Sequence, residues 1–396
     1  MSWVHPKTII GPPAKGDKYL PRPGIEGQFW QSLQNGEHMV FVAPRRVGKS
    51  SIMVALVAAQ QVDHCMVYQN IESCGTTAEF YQRLWELLIA QENRPARLVE
   101  QVKKLFLARK IKGITLEGGF ELEDARIDHK AVLMDLLRKL GKERVHVVLL
   151  LDEFPEVIAR VHKNEGAAAA VDILHTLREM RHSDEFKHFT LVLAGSIGLH
   201  HVVAKLDRPK LVNDLRTIDV PALDVAEGHL LLDLILQGAS LKVPPAVRTI
   251  ILDTIGVLLP YHIQLLIADM DILARAAGIT EATPDLVEQA VQAVIARHDK
   301  FHDWESRLHT YLDEADYAYS FALLTCCAHR EDLTVQEAFA LSKTVEPATS
   351  YKNLIDDVLV RDGYLLQTDN HLAFRSPFLK RWWANRHPAH EIPSGL

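Results

Sequence analysis

The residues best suited to chemistry run Ala43-Pro44-Arg45-Arg46-Val47-Gly48-Lys49-Ser50. Apart from alanine in place of the first glycine, they have the G-x-x-x-x-G-K-S spacing of a phosphate-binding loop. Such a loop works because successive backbone N–H groups and the start of the following helix form a concave nest for anions. Lys49 would reach the outer phosphates of a nucleotide, and the Ser50 hydroxyl would ligate Mg²⁺. Ala43 is acceptable in place of glycine where that residue needs no positive φ. Arg45 and Arg46 face the phosphates, face a neighbouring subunit, or stand as solvated charges. Ser51, at the start of the helix, completes the candidate nucleotide-binding set.

A second candidate pair is Asp152-Glu153, at the end of the most apolar run of the chain, Val147-Val148-Leu149-Leu150-Leu151. A buried strand that ends in two acids delivers a carboxylate to a magnesium shell, here Asp152, and a second beside the γ-phosphate, here Glu153, where it can polarise a water. The plainer alternative is a strand that ends in two solvated acids. Ser196 follows another apolar strand and either hydrogen-bonds the γ-phosphate or attacking water, or caps the next helix. Arg208 and Arg216 come after it, and Arg216 is the better candidate for an arginine finger offered to a neighbouring protomer. The histidines, His200 and His201 included, show no metal-ligand spacing with cysteine or acids, and the glycine pattern around Ser196 is not that of a hydrolase elbow.

The elements that must position these residues alternate in type. Residues 38–42 read as a short buried strand, the loop follows, and residues 51–61 read as a helix. A strand at 65–70 and a helix from 77 to about 91 come next. Residues 111–127 alternate and contain Gly-Gly, which suggests a hairpin insertion. Strands at 145–151 and 190–194 complete a mostly parallel sheet covered on both faces. After Pro221 the strand signal stops, and residues 226–237, 245–255, 260–277 and 283–296 read as amphipathic helices. Helices at 318–328, 335–342 and 350–361, then a hairpin of residues 363–366 and 371–374, give the order of a winged helix.

The expected organisation is therefore an extended lead-in at 1–25, a P-loop NTPase core at 26–222, a helical lid at 223–300 and a winged-helix domain at 301–396. Composition agrees with several domains: the chain has 396 residues, of which 48% are hydrophobic and 24% charged, so it has apolar material for full cores. A net charge of -7 gives no global attraction to nucleic acid or to an anionic membrane. The N-terminus lacks the pattern of a signal peptide, and no run is long enough to span a bilayer. Four cysteines without zinc spacing suit a reduced, cytoplasmic protein.

The succession Ala-Pro-Arg-Arg-Val-Gly-Lys-Ser, Leu-Leu-Asp-Glu-Phe, Leu-Ala-Gly-Ser-Ile-Gly-Leu and Asn213-Asp214-Leu215-Arg216 resembles the prokaryotic AAA/STAND-type ATPases often called the archaeal ATPase family. The likeness continues through Gly256-Val257-Leu258-Leu259-Pro260-Tyr261 and residues 301–308 to Phe374-Arg375-Ser376-Pro377, nearly the whole chain. It implies an ATP-binding core with Mg²⁺, slow or partner-stimulated ATP hydrolysis, a lid whose Pro260 lies against adenine, and a winged-helix output. Tyr261, His262 and Gln264 stand beside Pro260, where there is no arginine.

Two outputs fit the C-terminal region. Lys352, Arg361, Arg375, Lys380, Arg381 and Arg386, interleaved with Trp382 and Trp383, suit a winged helix on DNA. Asp356-Asp357 in its third helix would repel phosphate and favour a protein effector or self-association, with the tryptophans closing the core.

Overall fold

In the computed structural model, residues 3–59, 64–89, 128–195, 199–297 and 301–391 are described; the hairpin expected at 111–127 and Ser196 lie outside them. The chain divides into two compact units, residues 22–42 with 52–219, and residues 1–21 with 43–51 and 220–396.

The first unit is built on five parallel strands, β1 (Met39–Val42), β2 (His64–Asn70), β3 (His146–Asp152), β4 (Phe189–Ala194) and β5 (Arg216–Asp219), in the order β2-β3-β4-β1-β5. Parallel strands need crossovers, and the helices Thr77–Ile89, His129–Lys142, Phe154–Glu165 and Ala167–His182 supply them. β3 is buried along nearly its whole length, as a strand covered on both faces must be, which is why it reads as an unbroken apolar run. Because all five strands run the same way, the carboxyl ends of β1 and β3 lie at one edge of the sheet. Gly195 follows β4 where a Cβ would lie 2.4 Å from Pro155 Cδ, so only glycine allows the start of helix Phe154–Glu165 to approach.

The second unit holds the expected lid helices at Val225–Leu236, Pro245–Ile255, Pro260–Ala277 and Pro284–Ala296. Asp224 and Glu227 form a reciprocal capping box that fixes the start of the first. Beyond them come helices His302–Tyr311, Glu314–His329 and Val335–Thr344, the segment 351–360, and three antiparallel strands, β6 (Leu333–Thr334), β7 (Leu365–Thr368) and β8 (His371–Phe374), in the order β6-β8-β7. These are the helices and hairpin expected from the sequence, with β6 and the final helix Pro377–Arg386 added. The third helix is not a plain α-helix: after Tyr351–Asn353 it winds as a π-helix over Leu354–Val360. Trp382 and Trp383 are fully buried, with Phe301 against Trp382 and Phe321 and Phe374 against Trp383, so the tryptophans sit inside this core.

The lead-in expected as an unpacked segment is tied down. Trp3 Nε1 donates to Asp271 Oδ1 at 2.9 Å, Lys7 N–H to the Ile235 carbonyl at 2.8 Å, and Ile9 N–H to Gln264 Oε1 at 2.6 Å. An extended Pro- and Gly-rich chain has no periodicity to betray packing, yet its free backbone donors are satisfied by the lid helices. Among the described residues no helix is long and apolar enough to cross a membrane.

Candidate functional site

The phosphate loop leaves β1 at Val42 and closes into the helix Lys49–Ala58. Gly48 holds φ at 96° with nothing near the place of a Cβ, a backbone that only glycine adopts freely. Arg46 also takes a left-handed φ of 65°, a costly choice for a side-chain-bearing residue and of the kind that marks functional loops. Ala43 is not among the positive-φ residues, so alanine in place of the first glycine costs the backbone nothing. Lys49 is buried at 6% exposure and turns its ammonium back to the Ala43 carbonyl at 3.4 Å. A buried ammonium curled over its own loop, at the start of a helix, fits the phosphates of a nucleotide.

The loop is held by residues far away in sequence. The Arg46 guanidinium carbon lies 4.4 Å from the Tyr261 ring centroid, a cation–π contact with the first turn of the helix Pro260–Ala277. Beneath it His262 is fully buried, and neither ring nitrogen has a hydrogen-bond partner among the described residues. Burial, then the Arg46 charge, holds this imidazole down at about 3, so it is neutral. The Ser51 hydroxyl accepts a bond from the Ala14 N–H at 2.9 Å, which ties the lead-in to the loop helix. Gly363, with φ at 90°, lies against Pro44: a Cβ there would be 2.9 Å from the Pro44 Cβ.

In the first unit, Asp152 is buried at 1% exposure at the carboxyl end of β3. Its carboxylate accepts bonds from Tyr68 Oη and from the Glu153 N–H, each at 3.1 Å. Both donors orient it. Glu153 is half-buried and left-handed, with φ 59° and ψ 34°, immediately before the helix Phe154–Glu165. A non-glycine residue held there is a second strained position at a candidate site.

Arg216 opens β5 and pairs with Met39, at the amino end of the sheet rather than the carboxyl edge, and is exposed. Arg208 is exposed as well, and donates to the carbonyl of Asp207. Pro260 is half-buried at the first turn of its helix. Asp214, read above only as part of a motif, anchors an arginine pair: Arg181 Nε donates to it at 2.7 Å and Arg178 at 3.3 Å. Burial works against its charge, but these arginine bonds prevail and hold the Asp214 carboxyl well below the usual range. Sequence reading missed the Arg46–Tyr261, Gly363–Pro44 and Arg181–Asp214 contacts. The one available signal was the left-handed glycine after the third helix.

The parallel sheet with a glycine-lysine-serine turn leading from a buried strand into a helix defines a P-loop ATPase fold. Solved structures agree: the chain is similar to a Walker-type ATPase of Pyrococcus abyssi, at 15% identity and a TM-score of 0.64, over 95% of this chain and 99% of that one. It is similar also to the ORC2 protein of Aeropyrum pernix, at 15% identity, a TM-score of 0.55 and coverage of 96% and 95%. No family model matches the sequence. No curated protein matches it either.

Proposed function

We propose that the protein is a Mg-ATP-dependent ATPase that works as a molecular switch, with the lid and the C-terminal winged helix as its output. The observation that carries this reading is that one phosphate loop is held by both: Arg46 on Tyr261 and Pro44 on Gly363. A ligand moves an equilibrium only through interactions that differ between its two states. Phosphates drawing Lys49 from the Ala43 carbonyl would supply that difference here.

In this reading residues 43–51 and Lys49 bind the phosphates and Pro260 lies beside adenine. Ser50 and Asp152 offer the hard oxygen donors that magnesium prefers. Glu153 orients the attacking water, and Ser196 and Arg216 are the proposed sensor and finger. The donor chemistry of Ser50 and Asp152 and the strain at Glu153 support the metal and water assignments. Of the two similar proteins one is a Walker-type ATPase and the other is seen as ADPNP–ADP complexes, which favours ATP as the ligand.

A protein effector or a second copy of the chain is the favoured partner. In the third helix Asp356 is exposed and Asp357 pairs with Arg361 at 3.7 Å, while Arg381 is paired with Glu288 at 2.7 Å. These pairings spend cations that a DNA face would need. The second reading, an ATPase that loads onto or remodels DNA, rests on the exposed Lys352 and Arg386 of the C-terminal region.

ATP turnover and molar mass, measured with and without duplex DNA for wild type, Lys49→Ala and Glu153→Gln, test both. The switch reading expects slow turnover that both substitutions abolish, ATP binding lost only in Lys49→Ala, and a mass that follows nucleotide but not DNA. Turnover stimulated by DNA would favour the second reading, and ATP binding indifferent to Lys49 would remove both.

A further inference from the structure

We propose that Arg375, at the end of the winged-helix hairpin, contacts the phosphates of the nucleotide on residues 43–50, so that the C-terminal region itself completes the site. This rests on the nucleotide-binding reading above.

The first argument is place. β7 and β8 pair Leu365 with Phe374, so the next residues outward, Tyr364 and Arg375, face each other, and the Arg375 N–H donates to the Tyr364 carbonyl at 2.9 Å. Gly363, next to Tyr364, is the residue that abuts Pro44 of the phosphate loop. Two residues past Arg375, Pro377 sits on Gly256, where a Cβ would meet its ring at 2.7 Å. Gly256 begins the short connection to Pro260. Arg375 is thus flanked by one anchor on the phosphate loop and one on the approach to Pro260.

The second argument is charge. The Arg375 side chain is half-buried, and its guanidinium has no carboxylate, carbonyl or ring partner among the described residues. Burial pushes it below the usual arginine range, with no opposite charge to restore it. The neighbouring arginines differ: Arg330 holds Glu337, Arg361 holds Asp357 and Arg381 holds Glu288. A desolvated guanidinium is costly until an anion answers it, and its planar fork suits phosphate oxygens. The loop meanwhile needs cations. Arg46 is engaged on Tyr261 and the lid brings no arginine beside Pro260, so a further guanidinium has a role to fill next to Lys49.

The test is equilibrium binding of ATP, ADP and adenosine to the full chain by calorimetry, for wild type, Arg375→Ala, Arg375→Gln, Arg375→Lys and the paired control Arg381→Ala. Losing one charge-assisted contact should weaken ATP by about tenfold or more. Adenosine affinity should stay unchanged, Arg375→Lys should recover part of the loss, and Arg381→Ala should bind as wild type. Arg375→Gln keeps much of the stem, so it carries the result if the alanine variant melts early without nucleotide. ATP affinity equal to wild type in folded Arg375→Gln, while Lys49→Ala abolishes it, would overturn the assignment and leave the nucleotide reading intact. Failure of wild type to bind ATP would overturn both.

Discussion

Replacing Gly363 with alanine should damage both the C-terminal region and the phosphate loop, and the size of the effect follows from two separable terms. At φ 90° a Cβ is strained, at a cost of about 1–2 kcal/mol. The added atom would also stand 2.9 Å from the Pro44 Cβ and 3.7 Å from its Cα. Pro44 is buried and its ring cannot swing aside, so the loop backbone itself must yield. Overpacking of that kind costs about 1–3 kcal/mol more. Gly238 supplies the control, since its φ is 77° but nothing lies within 4 Å of the missing Cβ. Gly238→Ala should therefore lose only the backbone term. Urea denaturation of the two variants should differ by about 1–3 kcal/mol, with Gly363→Ala the less stable, and only Gly363→Ala should also bind ATP more weakly. Equal losses of stability and unchanged ATP affinity in Gly363→Ala would refute the idea that the C-terminal region bears on the loop.

Asp214→Ala should destabilise the sheet unit by about 3 kcal/mol in urea melts, because the Arg181 side chain, only 2% exposed, would lose its carboxylate; a loss below half a kilocalorie would show the pair to be solvated in effect. Arg46→Ala and Tyr261→Leu should each lower stability, with a double-mutant coupling of about 0.5–1 kcal/mol that is absent if the stack is incidental. Acid should destabilise the protein well above the carboxylate range. Burial holds His262 at about 3, and His38 and His146 at about 4, against an ordinary 6.5. The unfolded chain then takes up protons that the folded one refuses, so stability is full above pH 6.5 and falls as pH drops from there toward 4. Each proton contributes at most about 1.4 kcal/mol per pH unit. A stability curve flat between pH 4.5 and 6.5 by calorimetry would contradict the buried neutral histidines, and His262→Phe should make the slope shallower.

What the sequence disclosed was whatever is written in neighbouring residues. The strand before the phosphate loop, the loop itself, the apolar run that ends in Asp152 and the four lid helices are each a local pattern, and each appears within a residue or two of its expected bounds. The helix His129–Lys142 was not among the expected elements, although its Asp128 cap and the spacing of Val132, Leu133, Leu136, Leu137 and Leu140 carry the same kind of signal. The helix His302–Tyr311 gave less warning, since its ten residues hold only a few apolar ones. Contacts between distant residues left no local trace. Neither Arg46 nor Tyr261 has a neighbour pattern that names the other, and the bonds of the lead-in use backbone donors that any residue carries.

Those unreadable contacts decide how a bound phosphate would be felt. The loop that carries Lys49 touches the N-terminal segment through Ser51, the helix Pro260–Ala277 through Arg46 and the turn before β7 through Pro44. Two of its residues hold positive φ, so its shape is set by these surroundings as much as by its own preferences. A loop so constrained has few ways to relax when an anion draws Lys49 from the Ala43 carbonyl, and each of them moves one of three partners. Packed interfaces of this kind shift between discrete arrangements instead of yielding gradually. Nucleotide state would then be transmitted by contact, which is why a single added methyl at Gly363 tests the mechanism better than a substitution in the phosphate loop would: it removes no phosphate ligand and acts through what the loop packs against.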